Sequence, residues 1–129
     1  MKKHVLWSWG LKNLKKEVFR VIFLNSQNQV IDIVTAHDGT VTMSSVYVRE
    51  IINLANKFGV AAMIFAHNHP SGKPKPSSED KAITEELVFA GRIMKIKVLD
   101  HIIIGEDQYF SFADEGLIKR YYTNFDMKK

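Results

Sequence analysis

Val60-Ala61-Ala62-Met63-Ile64-Phe65-Ala66-His67-Asn68-His69-Pro70 is the stretch on which the fold turns. An unbroken apolar run follows Gly59 and ends at two histidines. It is short for a helix and has no polar face, so it reads as a strand buried on both sides of a sheet. Residues i and i+2 of a strand share a face, so His67 and His69 can aim both rings at one point. Pro70, Gly72, Pro74 and Pro76 then deny the chain both helix and ladder. Ser77-Ser78-Glu79-Asp80 opens a predicted helix that reaches about Met94, with Ile83, Leu87, Val88 and Ile93 facing inward.

Two imidazole nitrogens and one carboxylate oxygen can hold a single zinc ion. Three protein ligands leave a fourth tetrahedral position for water, which separates a catalytic zinc site from a closed structural one. Each residue also has a plainer explanation. A His-x-His pair occurs by chance, and Ser77 with Asp80 has the spacing of a helix capping box, where an acidic residue suits the positive end of the dipole. The two readings of Asp80 are compatible, because a helix N-terminus fixes the direction of a carboxylate. A stiff return loop between two histidines and a positioned Asp, at the carboxyl end of a strand, is where sites are built.

Working outward, Trp9 to Lys16 reads as the tail of a short helix. Glu17 to Leu24 is β-branched and aromatic and reads as a strand. Asn25-Ser26-Gln27-Asn28 is turn chemistry, Gln29 to Val34 its hairpin partner, and His37-Asp38-Gly39-Thr40 the next turn. Ser44 or Ser45 can cap a helix to Phe58 with Tyr47, Ile51, Leu54, Ala55 and Phe58 on its apolar face. Ile96 to Ile104 and Tyr109 to Phe112 read as strands, followed by a helical turn around Leu117 and a polar tail. The order predicts an α/β (α+β mixed) fold, a central mixed sheet flanked by helices. A single domain is expected over residues 1–129, with its core at about 12–118.

At 129 residues the chain can bury a self-sufficient core. It has no cysteine, which excludes disulfides and thiolate-ligated metals. Met1 to Trp9 begins like a signal peptide, but Lys12, Lys15 and Lys16 interrupt any apolar region. No run approaches a membrane span. A soluble, cytoplasmic protein is the expectation. The net charge of +4 permits contact with nucleic acid, yet the lysines are scattered and fit a solvated surface.

His67-x-His69-Pro70 followed by Ser77-x-x-Asp80 resembles the JAMM (JAB/MPN) metalloprotease motif. The fuller string His-Asn-His-Pro-Ser-Gly, then Pro-Ser-x-x-Asp, is similar to its bacterial RadC-like branch. Glu17-Val18-Phe19, Gly39-Thr40, Arg49-Glu50, Leu99-Asp100-His101, Ser111-Phe112 and Glu115-Gly116 extend the resemblance over about Lys12 to Ile118. It implies a JAB/MPN-like fold, cytidine-deaminase-like in architecture, with one zinc per chain bound by His67, His69 and Asp80. It implies Glu17 as general acid/base and Ser77 as a hydroxyl that helps stabilise an oxyanion. The implied reaction is hydrolysis of a peptide or isopeptide bond in a protein or peptide substrate. On its own, Glu17 reads as a surface residue beside Lys15 and Lys16. Glu50 is the rival base, though an ion pair with Arg49 explains it more simply. His101 with Asp100 could support a zinc ligand or be a partly buried strand histidine, and His37 and His4 have no metal role in this reading.

Val48 stands where the branch usually has Pro, and the helical N-terminal domain of many RadC-like proteins is absent from this sequence. A DNA-binding or DNA-repair role, or one in mobile elements, is therefore the second reading. A non-catalytic MPN interaction module is the third, since such modules lose ligands that are all present here. The literal His-Asn-His is not the HNH nuclease motif, and the zinc deaminases need cysteines. Substrate sequence and oligomeric state are not legible.

Overall fold

A computed structural model of the chain describes residues 15–39 and 48–128. The elements run β1 (Glu17–Leu24), β2 (Val30–Gly39), α1 (Val48–Phe58), β3 (Ala62–Asn68), α2 (Ser78–Met94), β4 (Lys97–Ile104), β5 (Tyr109–Ser111) and α3 (Leu117–Met127). The strands form one five-stranded sheet in the order β2-β1-β3-β4-β5. β3 and β4 are parallel and the other neighbours antiparallel, so the sheet is mixed as expected. A parallel pair needs a long crossover, and α2 supplies it.

The apolar run becomes the central strand, and every residue of β3 is buried. One face of the sheet packs against the helices. Phe19, Val21 and Phe23 of β1, Met63 and Phe65 of β3, and Val98 and Ile103 of β4 meet Ile51 and Ala55 of α1, Leu87 and Val88 of α2, and Ile118 and Tyr121 of α3. Side chains of alternate strand residues form a second apolar cluster on the other face, with Ile22, Leu24, Ile64, Ala66 and Ile104 at its centre.

The β1–β2 turn matches its sequence chemistry. Asn25 Oδ1 accepts from the backbone N–H groups of Gln27 and Gln29, and Asn28 takes the left-handed conformation that Asn tolerates.

Four expectations change. β2 continues to Gly39, so His37, Asp38 and Gly39 are strand residues rather than a turn. The long pairing with β1 is accommodated by an irregularity between Phe19 and Arg20. The tail is a full helix, because Ile118, Tyr121, Tyr122 and Phe125 recur at helical spacing and dock on α2 and β4. Phe125 meets Phe89 edge to face, and the Tyr122 hydroxyl takes the N–H of Val98. Ile93 is 65% exposed, since the buried stripe of α2 follows Ile83, Leu87, Val88 and Gly91 and leaves it outside. Phe58 is likewise exposed at the end of α1. The proposed caps Ser44 and Ser45, Tyr47, and the helical tail before Lys15 lie outside the described residues.

Candidate metal centre

The site forms where β3 ends, on the helix-covered face. In the β1–β3 ladder Phe19 stands opposite His67. Glu17, two residues before Phe19, lies on that same face of β1. Asn68 points the other way and clamps the backbone on both sides of Glu17. Its Oδ1 accepts from the Val18 N–H at 2.7 Å and its Nδ2 donates to the Lys16 carbonyl at 2.9 Å. Glu17 therefore enters the site from a fixed strand end rather than from a loose surface.

The return loop is pinned to the end of β4. The His69 N–H bonds to the Ile104 carbonyl, the Gly72 N–H to the His69 carbonyl, and the Glu106 N–H to the Gly72 carbonyl. Gly72 has φ +87°, a conformation that favours glycine, and a Cβ at Gly105 would meet the Gly72 oxygen at 2.3 Å. Two glycines thus allow the backbone of the loop to lie directly on the strand end. The loop delivers Ser77 as the N-cap of α2. Ser77 Oγ accepts from the Asp80 N–H at 3.0 Å, and Asp80 Oδ2 accepts from the Ser77 N–H at 2.9 Å, a complete capping box.

Glu17, His67, His69 and Asp80 converge, each offering one ligand atom, with all four atoms within 4.8 Å of one another. His67 Nε2 lies 3.4 Å from Glu17 Oε1 and 3.6 Å from Asp80 Oδ1. His69 Nε2 lies 3.1 Å from Asp80 Oδ2, and its Nδ1 is 3.0 Å from the Lys73 carbonyl oxygen. A carbonyl only accepts, so His69 Nδ1 carries a hydrogen and Nε2 faces the cluster. His67 Nε2 is fully buried and has no hydrogen-bond partner. A buried, unpartnered nitrogen aimed at two carboxylates is costly unless something binds it. Two imidazoles and a carboxylate are a donor set that suits zinc, so these residues fit a metal ion.

The electrostatics of the cluster follow from its burial and its neighbouring charges. Burial, with the neighbouring His101 ring, holds His67 well below the ordinary histidine range and therefore neutral. Burial also opposes charge on His69, but the Asp80 hydrogen bond and the Lys73 carbonyl outweigh it and raise its pKa. Asp80 shows the converse: burial raises it, while the His69 bond, the nearby His67 and the Ser77 N–H lower it further. Burial raises Glu17, the one cluster carboxyl a quarter exposed in its side chain. An open cleft of about 430 Å³, lined by Glu17, His69, Pro70, Ser71, Ser77 and Asp80 among others, leads to the cluster.

His101 is completely buried, and its Nε2 lies 2.7 Å from His67 Nδ1. Asp100 does not share that position. It faces the opposite side of β4, where Oδ1 accepts from the His101 and Ala113 N–H groups and Oδ2 from the Ser111 hydroxyl. Of the two readings open for His101, the one that pairs it with Asp100 beside the metal is not realised, because strand alternation separates neighbours. Glu50 is exposed on α1 and outside the cluster. Asn68 and Thr84 were missed. Asn68 carries a signal, a polar residue inside a buried strand, whereas Thr84 sits in a helix with nothing in its spacing to mark it.

A mixed sheet flanked by three helices, with a His/His/Asp/Glu cluster at the end of its central strand, defines a JAB/MPN-like domain. The chain belongs to the RadC-like JAB domain family, whose model matches residues 4–117. It is 46% identical over 109 residues to the UPF0758 protein YeeS of Escherichia coli, covering 84% of this chain and 74% of that one. A second E. coli relative, the UPF0758 protein YkfG, is 45% identical over 118 residues, covering 89% of this chain and 75% of that one. Against a UPF0758 protein of Symbiobacterium thermophilum (STH371) the identity is 48% over 108 residues, covering 84% of this chain and 46% of the relative. The chain thus spans about half the length of several curated relatives that it matches. No helix among the described residues is long and apolar enough to cross a membrane.

Proposed function

We propose that this domain is a zinc-dependent hydrolase that cleaves an amide bond, peptide or isopeptide. The observation that carries the reading is His67 Nε2, buried, without a partner, and held among three further ligand atoms within 4.8 Å. His67, His69 and Asp80 would hold the ion. Zinc so bound supplies Lewis acidity, which polarises a carbonyl and makes hydroxide available near neutral pH.

The remaining steps belong to the chain's own side chains. Glu17 carries protons, taking one from the attacking water and returning it to the leaving amine at a single carboxylate. Its burial raises its proton affinity, which suits a group that must both accept and donate. Ser77 Oγ accepts from the Asp80 N–H, so its own hydrogen is free to donate into the cleft, where it supports a developing oxyanion. The cleft is open, which suits an extended peptide segment or a lysine-linked tail.

Elemental analysis of the purified chain and of His69→Ala tests the reading first. About one zinc per chain in the former and little in the latter supports it, and peptide and isopeptide substrates then follow, with Glu17→Ala as the inactive control. Absence of tightly held metal in the unaltered chain after zinc is supplied would exclude the hydrolase and leave an interaction module.

A further inference from the structure

We infer that Thr84 and His101 are positioning residues that set the tautomer of His67, through a hydrogen-bond relay anchored on the backbone carbonyl of Asp80. The inference rests on the metal-site reading above and adds two side chains to it.

The polarity of the relay follows from its end. Thr84 Oγ1 is 2.6 Å from the Asp80 carbonyl oxygen. Two oxygens that close repel unless a hydrogen lies between them, and a carbonyl has none to give, so the threonine hydrogen points at Asp80. Thr84 Oγ1 is also 2.7 Å from His101 Nδ1. With its hydrogen committed, the hydroxyl can only accept there, so His101 Nδ1 bears the hydrogen. A neutral imidazole has one N–H, which leaves His101 Nε2 as a bare acceptor. That nitrogen is 2.7 Å from His67 Nδ1, so His67 Nδ1 donates and His67 Nε2 is bare. The bare nitrogen is the one that faces Glu17 and Asp80. Both rings are completely buried with centroids 4.9 Å apart, an arrangement that disfavours charge on either.

The rings are also held mechanically. His101 stacks on Phe112 at 4.7 Å with the planes 6° apart, and Phe65 meets it edge on. The relay therefore cannot swing to another acceptor without disturbing the core. His69 reaches the same tautomer by a shorter route, donating its Nδ1 hydrogen directly to the Lys73 carbonyl. Both ligand histidines thus end on a main-chain oxygen, one directly and one through two side chains. Asp80 serves twice, with its carboxylate in the cluster and its carbonyl at the foot of the relay.

Long-range proton–nitrogen NMR of the imidazole rings in the metal-free full chain reads the tautomers without any turnover. His67 and His101 are each expected to carry hydrogen on Nδ1 and none on Nε2. Thr84→Val, which keeps the shape and removes the hydroxyl, is expected to lose that pattern and weaken zinc binding by about ten- to a hundredfold. Thr84→Ser is expected to restore both. A hydrogen on His67 Nε2 in the unaltered chain overturns the relay, and so does Thr84→Val with unaltered tautomers and zinc affinity. If Thr84→Val fails to fold, the spectrum of the unaltered chain still decides. A chain that shows the relay and binds zinc but cleaves no amide would refute the proposed reaction and leave the relay standing.

Discussion

Asp100 and His101 are neighbours on β4, yet they serve two buried polar clusters of different design. On one face, Asp100 is closed: both carboxylate oxygens accept hydrogen bonds, and the Ser111 hydroxyl that donates to it accepts in turn from the Asp114 N–H. On the other, His101 leads to His67, whose Nε2 has no partner. The first cluster ties β5 and the following turn to the sheet. The second holds its donors in place and leaves one atom unsatisfied at the head of a cleft. Completed hydrogen bonding marks a buried polar group that serves the fold, and a deliberate gap marks one kept for a ligand.

Acid should break the open cluster most. In the metal-free protein, burial depresses His67, and burial with the nearby His69 pushes His101 down to about 3. The unfolded chain takes up these protons below about 6.5, the ordinary histidine value. Stability from both rings is therefore complete above that pH and is lost as pH falls below it, for His101 down to about 3, at up to about 1.4 kcal/mol per pH unit for each ring. His69, whose pKa is raised, acts oppositely, since its contribution is present at low pH and fades as pH rises through its folded value. Chemical denaturation across this range is expected to show the loss, and saturating zinc to add stability at its upper end. A metal-free stability that does not change between neutral pH and pH about 5 would contradict two neutral, buried rings.

Removing the closed cluster's centre comes next. Asp100→Ala strands the donors that now end on its carboxylate, at a cost on the order of 3 kcal/mol. Zinc stoichiometry at a temperature where the variant stays folded should be unchanged, because Asp100 faces away from the ligands. Loss of metal without loss of stability would mean that the two clusters are not separate. The smallest effect belongs to Ser77→Ala, which removes half of the capping box and should cost about 1 kcal/mol, read as a modest fall in Tm with zinc retained.

Much of this was legible in the sequence. β1 spans Glu17–Leu24 and α2 ends at Met94 as predicted, because a β-branched, aromatic run and a long helical pattern face little competition. The convergence of His67, His69 and Asp80 follows from strand parity and a cap. Glu17 was legible only through the family resemblance, since what places it is a ladder between strands distant in sequence, clamped by Asn68. α3 was missed because its charged residues mask an apolar stripe that becomes visible only against α2 and β4. The relay through Thr84 and His101 is tertiary throughout, joining α2 to β4 by side-chain atoms that no local spacing relates.

The capping box at the start of α2 has an evolutionary consequence. Asp80 is held in place by a helix that it also caps. An Asn at position 80 would still offer an oxygen to the Ser77 N–H, and would surrender the second oxygen and the negative charge that a cation needs. Drift at this one position would therefore leave a folded surface with its chemistry switched off. A lineage descended from such a domain could keep the scaffold for docking alone, and the route there would run through neutral ground rather than across a loss of fold.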